Sequence, residues 1–167
     1  MSALSTFLGL VLATFGTLVM GALRLPSVPD LFLLPVGFAA RRGAAGKAML
    51  VALAAGFLED SLTVPGRLFG LHAFAKVLVA FCLALVGART LVEKAVPFGA
   101  LLAAGSAIEG AVVAGLLWIL RGDLFLPEPG RLAVRVLGTG LLAAAARALL
   151  RYPWKEAWAA RRRRKLA

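Results

Sequence analysis

Long apolar runs separated by short polar breaks organise this chain. Residues 3–23 carry no charged side chain and are long enough to cross roughly 30 Å of hydrocarbon as a helix. They lack the basic start and the small-residue cleavage site of a signal peptide, so they read as an uncleaved span. Arg24, Pro26, Pro29 and Asp30 break that helix, because a proline disfavours helical geometry in the residue before it. Asp30 is placed to cap the next segment. Residues 29–40 are apolar but short, with Pro35 in their middle. The pattern allows a short kinked span or a re-entrant hairpin, and the span is the preferred reading. Arg41, Arg42 and Lys47 mark a basic loop, and further apolar runs occupy 44–60, 69–87, 96–120 and 132–150. Pro65-Gly66 is a turn signal between the third and fourth runs. Pro127 and Pro129 keep the connection before the last run non-helical. The pattern predicts an all-α polytopic membrane protein of about six transmembrane helices. These form a single domain over 1–158, with a basic tail at 159–167.

Composition sharpens the class. Of 167 residues, 61% are hydrophobic and 16% charged, against about 25% charged in a typical soluble domain. The net charge of +11 does not point to nucleic acid, because the basic residues do not lie on a soluble face with interleaved aromatics. Five of them form the run 161–165, which beside a last span is a topology determinant and a contact for anionic lipid. Placing the C-terminus in the cytoplasm puts twelve basic residues inside: Arg41, Arg42, Lys47, Arg89, Lys94, Arg151, Lys155 and the terminal five. Five then face out: Arg24, Arg67, Arg121, Arg131 and Arg135. That bias predicts a multi-pass protein of a cytoplasmic membrane with its tail inside. If 29–40 re-entered, only Arg24 would change sides and the N-terminus would move out. Arg147 is near enough to the end of the last span to snorkel, and Tyr152, Trp154 and Trp158 suit an interfacial belt.

Small residues recur at i+4 along three spans. Gly9, Ala13, Thr17 and Gly21 form one ridge, and Ala44, Ala48, Ala52 and Gly56 a second that leads to Asp60 on the same face. Gly99, Ala103, Ala107, Ala111 and Gly115 form the third. Such ridges let helices approach closely. The first and third are candidates for partner binding or internal packing, and at least one must serve the core.

Ionisable residues inside apolar spans need a reason, because charge in hydrocarbon is costly. Asp60, at a span's end, reads as a structural lock that accepts backbone amides of the turn or faces His72; a partner contact and a merely solvated acid are the alternatives. Glu59, about 100° away around the helix, reads as solvated. His72 reads as a neutral, hydrogen-bonded residue at a helix start, since one histidine with no second His or Cys partner is a poor zinc site. Lys76 and Glu109 lie roughly 10 Å and 17 Å into their spans from the same side, and are expected to pair and hold the fourth and fifth spans together. An ion pathway is the alternative, though it would carry more polar groups. There is no zinc-ligand pattern, nucleophile elbow or phosphate-binding loop around Gly46-Lys47. No enzyme activity, cofactor or metal is expected.

Four features in chain order resemble the MreD family of rod-shape-determining membrane proteins. They are Val28-Pro29-Asp30-Leu31-Phe32-Leu33 after the first span, Gly56-Phe57-Leu58-Glu59-Asp60, the turn followed by Gly70-Leu71-His72-Ala73, and the bare six-span size. The chain departs from the family pattern at Glu59 and Lys76, where apolar residues are usual. The resemblance implies a non-enzymatic inner-membrane subunit of the bacterial cell-elongation machinery. Its implied partner is MreC, with links to the RodA–class B penicillin-binding protein synthase of peptidoglycan and to MreB filaments. It also implies a fold like the six-helix substrate-binding subunits of energy-coupling-factor (ECF) vitamin transporters. A subunit of such a transporter is the rival reading, against which the outer loops offer few polar groups, Thr63, Arg67, Asp123 and Glu128, to line a ligand pocket.

Overall fold

A computed structural model of the chain describes residues 3–24, 29–41, 44–62, 69–89, 94–122 and 128–152. These form six helices and, among the described residues, no strand: α1 (Ala3–Ala22), α2 (Leu33–Ala40), α3 (Ala45–Leu62), α4 (Leu71–Arg89), α5 (Ala95–Arg121) and α6 (Pro129–Arg151). Three of them, α1, α5 and α6, are long and apolar enough to cross a membrane, and α4 carries a shorter apolar stretch, Leu71–Gly87. The Pro65-Gly66 turn, Arg67, Asp123, Trp154, Trp158 and the basic tail lie outside the described residues.

Local chemistry sets the helix ends. Pro129, expected to keep the preceding connection non-helical, instead opens α6 in its first turn, where its missing N–H is no loss. Gly122 closes α5 in a left-handed conformation (φ 73°) and returns its N–H to the Trp118 carbonyl, an arrangement that glycine adopts without a Cβ clash. Within α1, Thr14 and Thr17 donate their hydroxyls to the carbonyls of Leu10 and Ala13, which satisfies both polar groups inside an otherwise apolar helix.

Two antiparallel hairpins, α3–α4 and α5–α6, form most of the bundle, and α4 packs against α5 to join them. Each hairpin is closed at a glycine. A Cβ on Gly56 would lie 2.2 Å from Ala73 Cα, and one on Gly99 would lie 2.6 Å from the Gly140 carbonyl oxygen. No side chain fits at either place, so the backbones touch directly.

The segment expected as a second span is the short α2. Eight residues rise only about 12 Å, less than half the hydrocarbon thickness. It begins beside Lys76 of α4 and ends beside Gly87 of the same helix, where a Gly87 Cβ would meet the Ala40 carbonyl at 3.2 Å. It is nonetheless the centre of the molecule: Phe32, Leu33, Val36 and Ala40 are buried, and α1, α3, α4, α5 and α6 all pack around it. Ala48, Ala52, Val79, Leu83, Phe98 and Leu102 complete this apolar core. Arg147, expected to snorkel, is instead buried on α6. It shares an i+4 row with Thr139 and Ala143, both buried, so the helix face that carries it points into the bundle.

Candidate functional site

Above this apolar core, five segments each send a charged side chain to one point. Asp30 comes from the residues before α2, Glu59 from α3, His72 and Lys76 from α4, Glu109 from α5 and Arg135 from α6. Lys76 is at the centre. Its Nζ lies 2.9 Å from Glu59 Oε2 and 2.9 and 2.8 Å from the two Glu109 oxygens, and it also bonds Asp30 Oδ2. Arg135 Nη2 approaches the same three acids, at 3.3 Å from Asp30, 3.4 Å from Glu59 and 3.1 Å from Glu109. His72 Nδ1 lies 3.1 Å from Glu109 Oε1 and 3.6 Å from Glu59 Oε1. The side chains of Lys76, Asp30 and Glu109 have no solvent exposure, while Glu59 and Arg135 keep 17% and 24%.

Asp30 and the backbone of Arg135 are positioned by further contacts. Asp30 Oδ1 accepts the Leu33 N–H at 3.1 Å and so tethers the start of α2. The Asp30 N–H donates to Thr139 Oγ1 at 2.8 Å, and that hydroxyl donates in turn to the Arg135 carbonyl. Asp60 does not join the charge cluster. Its two oxygens accept the N–H groups of Gly70, His72 and Ala73 at 2.9, 3.3 and 3.3 Å. These are amides left open at the N-terminus of α4, where a negative charge is favoured by the helix dipole. Gly70, at φ 97°, provides the left-handed step that turns the chain into α4 beneath this carboxylate. Gly56 one turn earlier on α3 lets His72 and Ala73 come close enough to be capped.

The cluster balances three acids against two permanent cations, with His72 as the sixth group. In an apolar bundle such charges persist only as a mutually satisfied set, and removal of one member leaves its partners uncompensated. The donor atoms of Glu59, His72 and Glu109 lie within 4.8 Å of one another, a spacing that would suit a metal ion. The same carboxylates already accept Lys76 and Arg135, however. Lys76 Nζ and Arg135 Nη2 occupy the space beside those carboxylates, so the described side chains form an ion-pair lock there.

Two expectations change here. Glu59, expected in solvent, is drawn inward because Lys76 and Arg135 converge on its carboxylate. Arg135, read from the sequence only as a basic residue on the outer side, joins the cluster because α6 carries it on the same face as buried Thr139. Asp30 was legible as a cap, but its bond to Lys76 depends on the fold of α2 and had no local signal.

The small-residue ridges divide. Gly99 and Ala103 pack on Gly140 and Ala144 of α6, whereas Ala107 and Ala111 are exposed and a Cβ on Gly115 would meet nothing. On α1, Gly9 approaches Pro35 of α2, Ala13 is buried, Thr17 is half-buried and Gly21 is exposed. A cavity of about 120 Å³ reaches the edge of the charge cluster beside Thr17, Glu59 and Arg135. No family model, curated protein or solved structure matches this chain.

Proposed function

We propose that the chain is a non-enzymatic, multi-pass subunit of a bacterial inner membrane, of the MreD type. In this reading it binds an MreC-like single-span partner within the bilayer and helps regulate the peptidoglycan synthase that maintains cell shape. Its topology has six membrane-embedded helices, with α2 reaching only part-way, and a cytoplasmic C-terminus.

What carries the reading is the convergence of the two segments on which the family resemblance rests. Asp30 of the 28–33 segment and His72 of the 54–74 segment meet at the cluster around Lys76 and Glu109, and Asp60 of the latter segment caps the α4 start at Gly70, His72 and Ala73. The motifs therefore serve one rigid polar lock. A core held by mutually paired charges suits a scaffold, and the exposed apolar helix faces are the surfaces on which a partner would dock. Because lipid removes the usual hydrophobic drive between helices, a partner span would bind by close packing at small residues, for which Gly21 on α1 and Ala107 and Ala111 on α5 are exposed.

Affinity purification of the tagged protein in mild detergent tests this. The expected companion is a single-span protein with a periplasmic domain, with or without the synthase pair. Recovery with a cytoplasmic ATPase module or a bound vitamin would replace the scaffold reading with that of an ECF-type transporter subunit.

A further inference from the structure

α1 and α6 stand apart, with no backbone contact between them among the described residues, and the chain from Pro29 through α2 floors the gap. At the level of Thr17 this cleft contains the 120 Å³ cavity, walled by Thr17, Pro29, Asp30, Leu31, Glu59 and Arg135. Leu31 also walls a second cavity of about 390 Å³, which runs down α1 past Leu12 and Leu8 to Ser5 and is closed on the far side by Leu150 of α6. The small chamber mixes polar and apolar walls, with Asp30, Glu59, Arg135 and Thr17 on its polar side, and the large one is almost wholly apolar. From Thr17 to Ser5 the helix covers about 18 Å, close to the depth of one leaflet at about 15 Å.

We propose that this cleft holds one phospholipid whose head group pairs a phosphate with a primary ammonium, the phosphatidylethanolamine head, with one acyl chain lying in the apolar chamber. The charge pattern selects that head. Among the described residues all contacts of Arg135 to the acids run through Nη2, so the Nε and Nη1 donors of its guanidinium remain for a phosphate. Glu59, fixed by Lys76 and Arg135 and partly exposed on the same wall, faces an ammonium favourably. A purely anionic head would meet two carboxylates, and a lone cation would meet Arg135. The chamber has space for about four waters, enough for a compact head but not for a sugar. A trimethylated ammonium is larger and has no N–H to donate.

The inference rests on the membrane placement proposed above and is independent of the partner. The test is native mass spectrometry of the protein reconstituted in vesicles of equal phosphatidylethanolamine, phosphatidylcholine and phosphatidylglycerol. One phosphatidylethanolamine should be retained per chain, about tenfold over either other lipid, a gap of about 1.4 kcal/mol. Thr17→Trp, which fills the small chamber, should abolish that preference. Leu8→Trp should do the same from the apolar end, at an exposed residue far from the ion pairs, and carries the test if Thr17→Trp does not fold. Equal retention of all three lipids, preference for phosphatidylglycerol, or a preference that survives Leu8→Trp would overturn the site. Recovery of the protein outside membranes would instead overturn the membrane placement itself.

Discussion

The two helices at the start of the chain differ in opposite senses from what their lengths suggest. α1 has twenty residues without a charge, yet Ala13 is its one buried residue. α2 has eight residues interrupted by Pro35, yet five of the eight are buried, Leu33 and Val36 completely. Hydropathy measures how well a segment tolerates lipid. It does not report how much of the segment the protein itself covers. α1 is exposed along most of its surface, whereas α2 is enclosed by all five other helices and tied at its start by Asp30 to the ion cluster.

Substitutions should therefore separate a sensitive centre from a tolerant edge. The largest effect is expected at Lys76→Met, which leaves Asp30, Glu59 and Glu109 with Arg135 as their one permanent cation. A loss of about 3–5 kcal/mol should appear as an absence of folded, monodisperse protein after detergent extraction. The reversed pair, Lys76→Glu with Glu109→Lys, sharpens the point. It should restore only part of the loss, because residue 76 would then set a new acid beside Asp30 and Glu59. Full rescue would mean that Lys76 and Glu109 act as an isolated pair.

Next comes Gly56→Ala, where the new methyl would lie against the Ala73 backbone. Widening the α3–α4 contact should cost about 3 kcal/mol and lower the melting temperature in detergent; an unchanged melting temperature would contradict the close approach. Leu33→Ala at the centre of the bundle should cost about 2 kcal/mol, the lower end for a leucine cavity. Asp60→Asn keeps a weaker acceptor for the α4 amides and should cost about 1 kcal/mol, read as faster amide hydrogen exchange at Gly70, His72 and Ala73. The smallest effect belongs to α1. Leu12→Ala there should change stability by less than about 0.5 kcal/mol, and a loss near that of Leu33→Ala would erase the distinction between the two helices.

Parts of the site were legible along the chain. Counting depth from the helix ends sets Lys76 and Glu109 at reachable levels, because helical rise is a local constant, and in the structure they are in direct contact. Asp60 falls on the same i+4 row as Ala48, Ala52 and Gly56, which marks the face that meets α4. Asp30, Glu59 and Arg135 gave no such indication. Each sits near a helix end, where an ionisable group is at home in water or at a head-group boundary, and nothing in the neighbouring residues distinguishes that setting from a buried one.

Helix content, the apolar character of the long segments and the small-residue rows come from the sequence alone, because periodicity and side-chain size act within a few residues. Tertiary structure decided that the shortest helix is the core, that the longest uncharged one is peripheral, and that six charged residues spread from 30 to 135 meet at one point. The physical reason is that a buried charge requires its partner at about 3 Å in space. That requirement is met by how helices pack and not by anything encoded beside the residue itself.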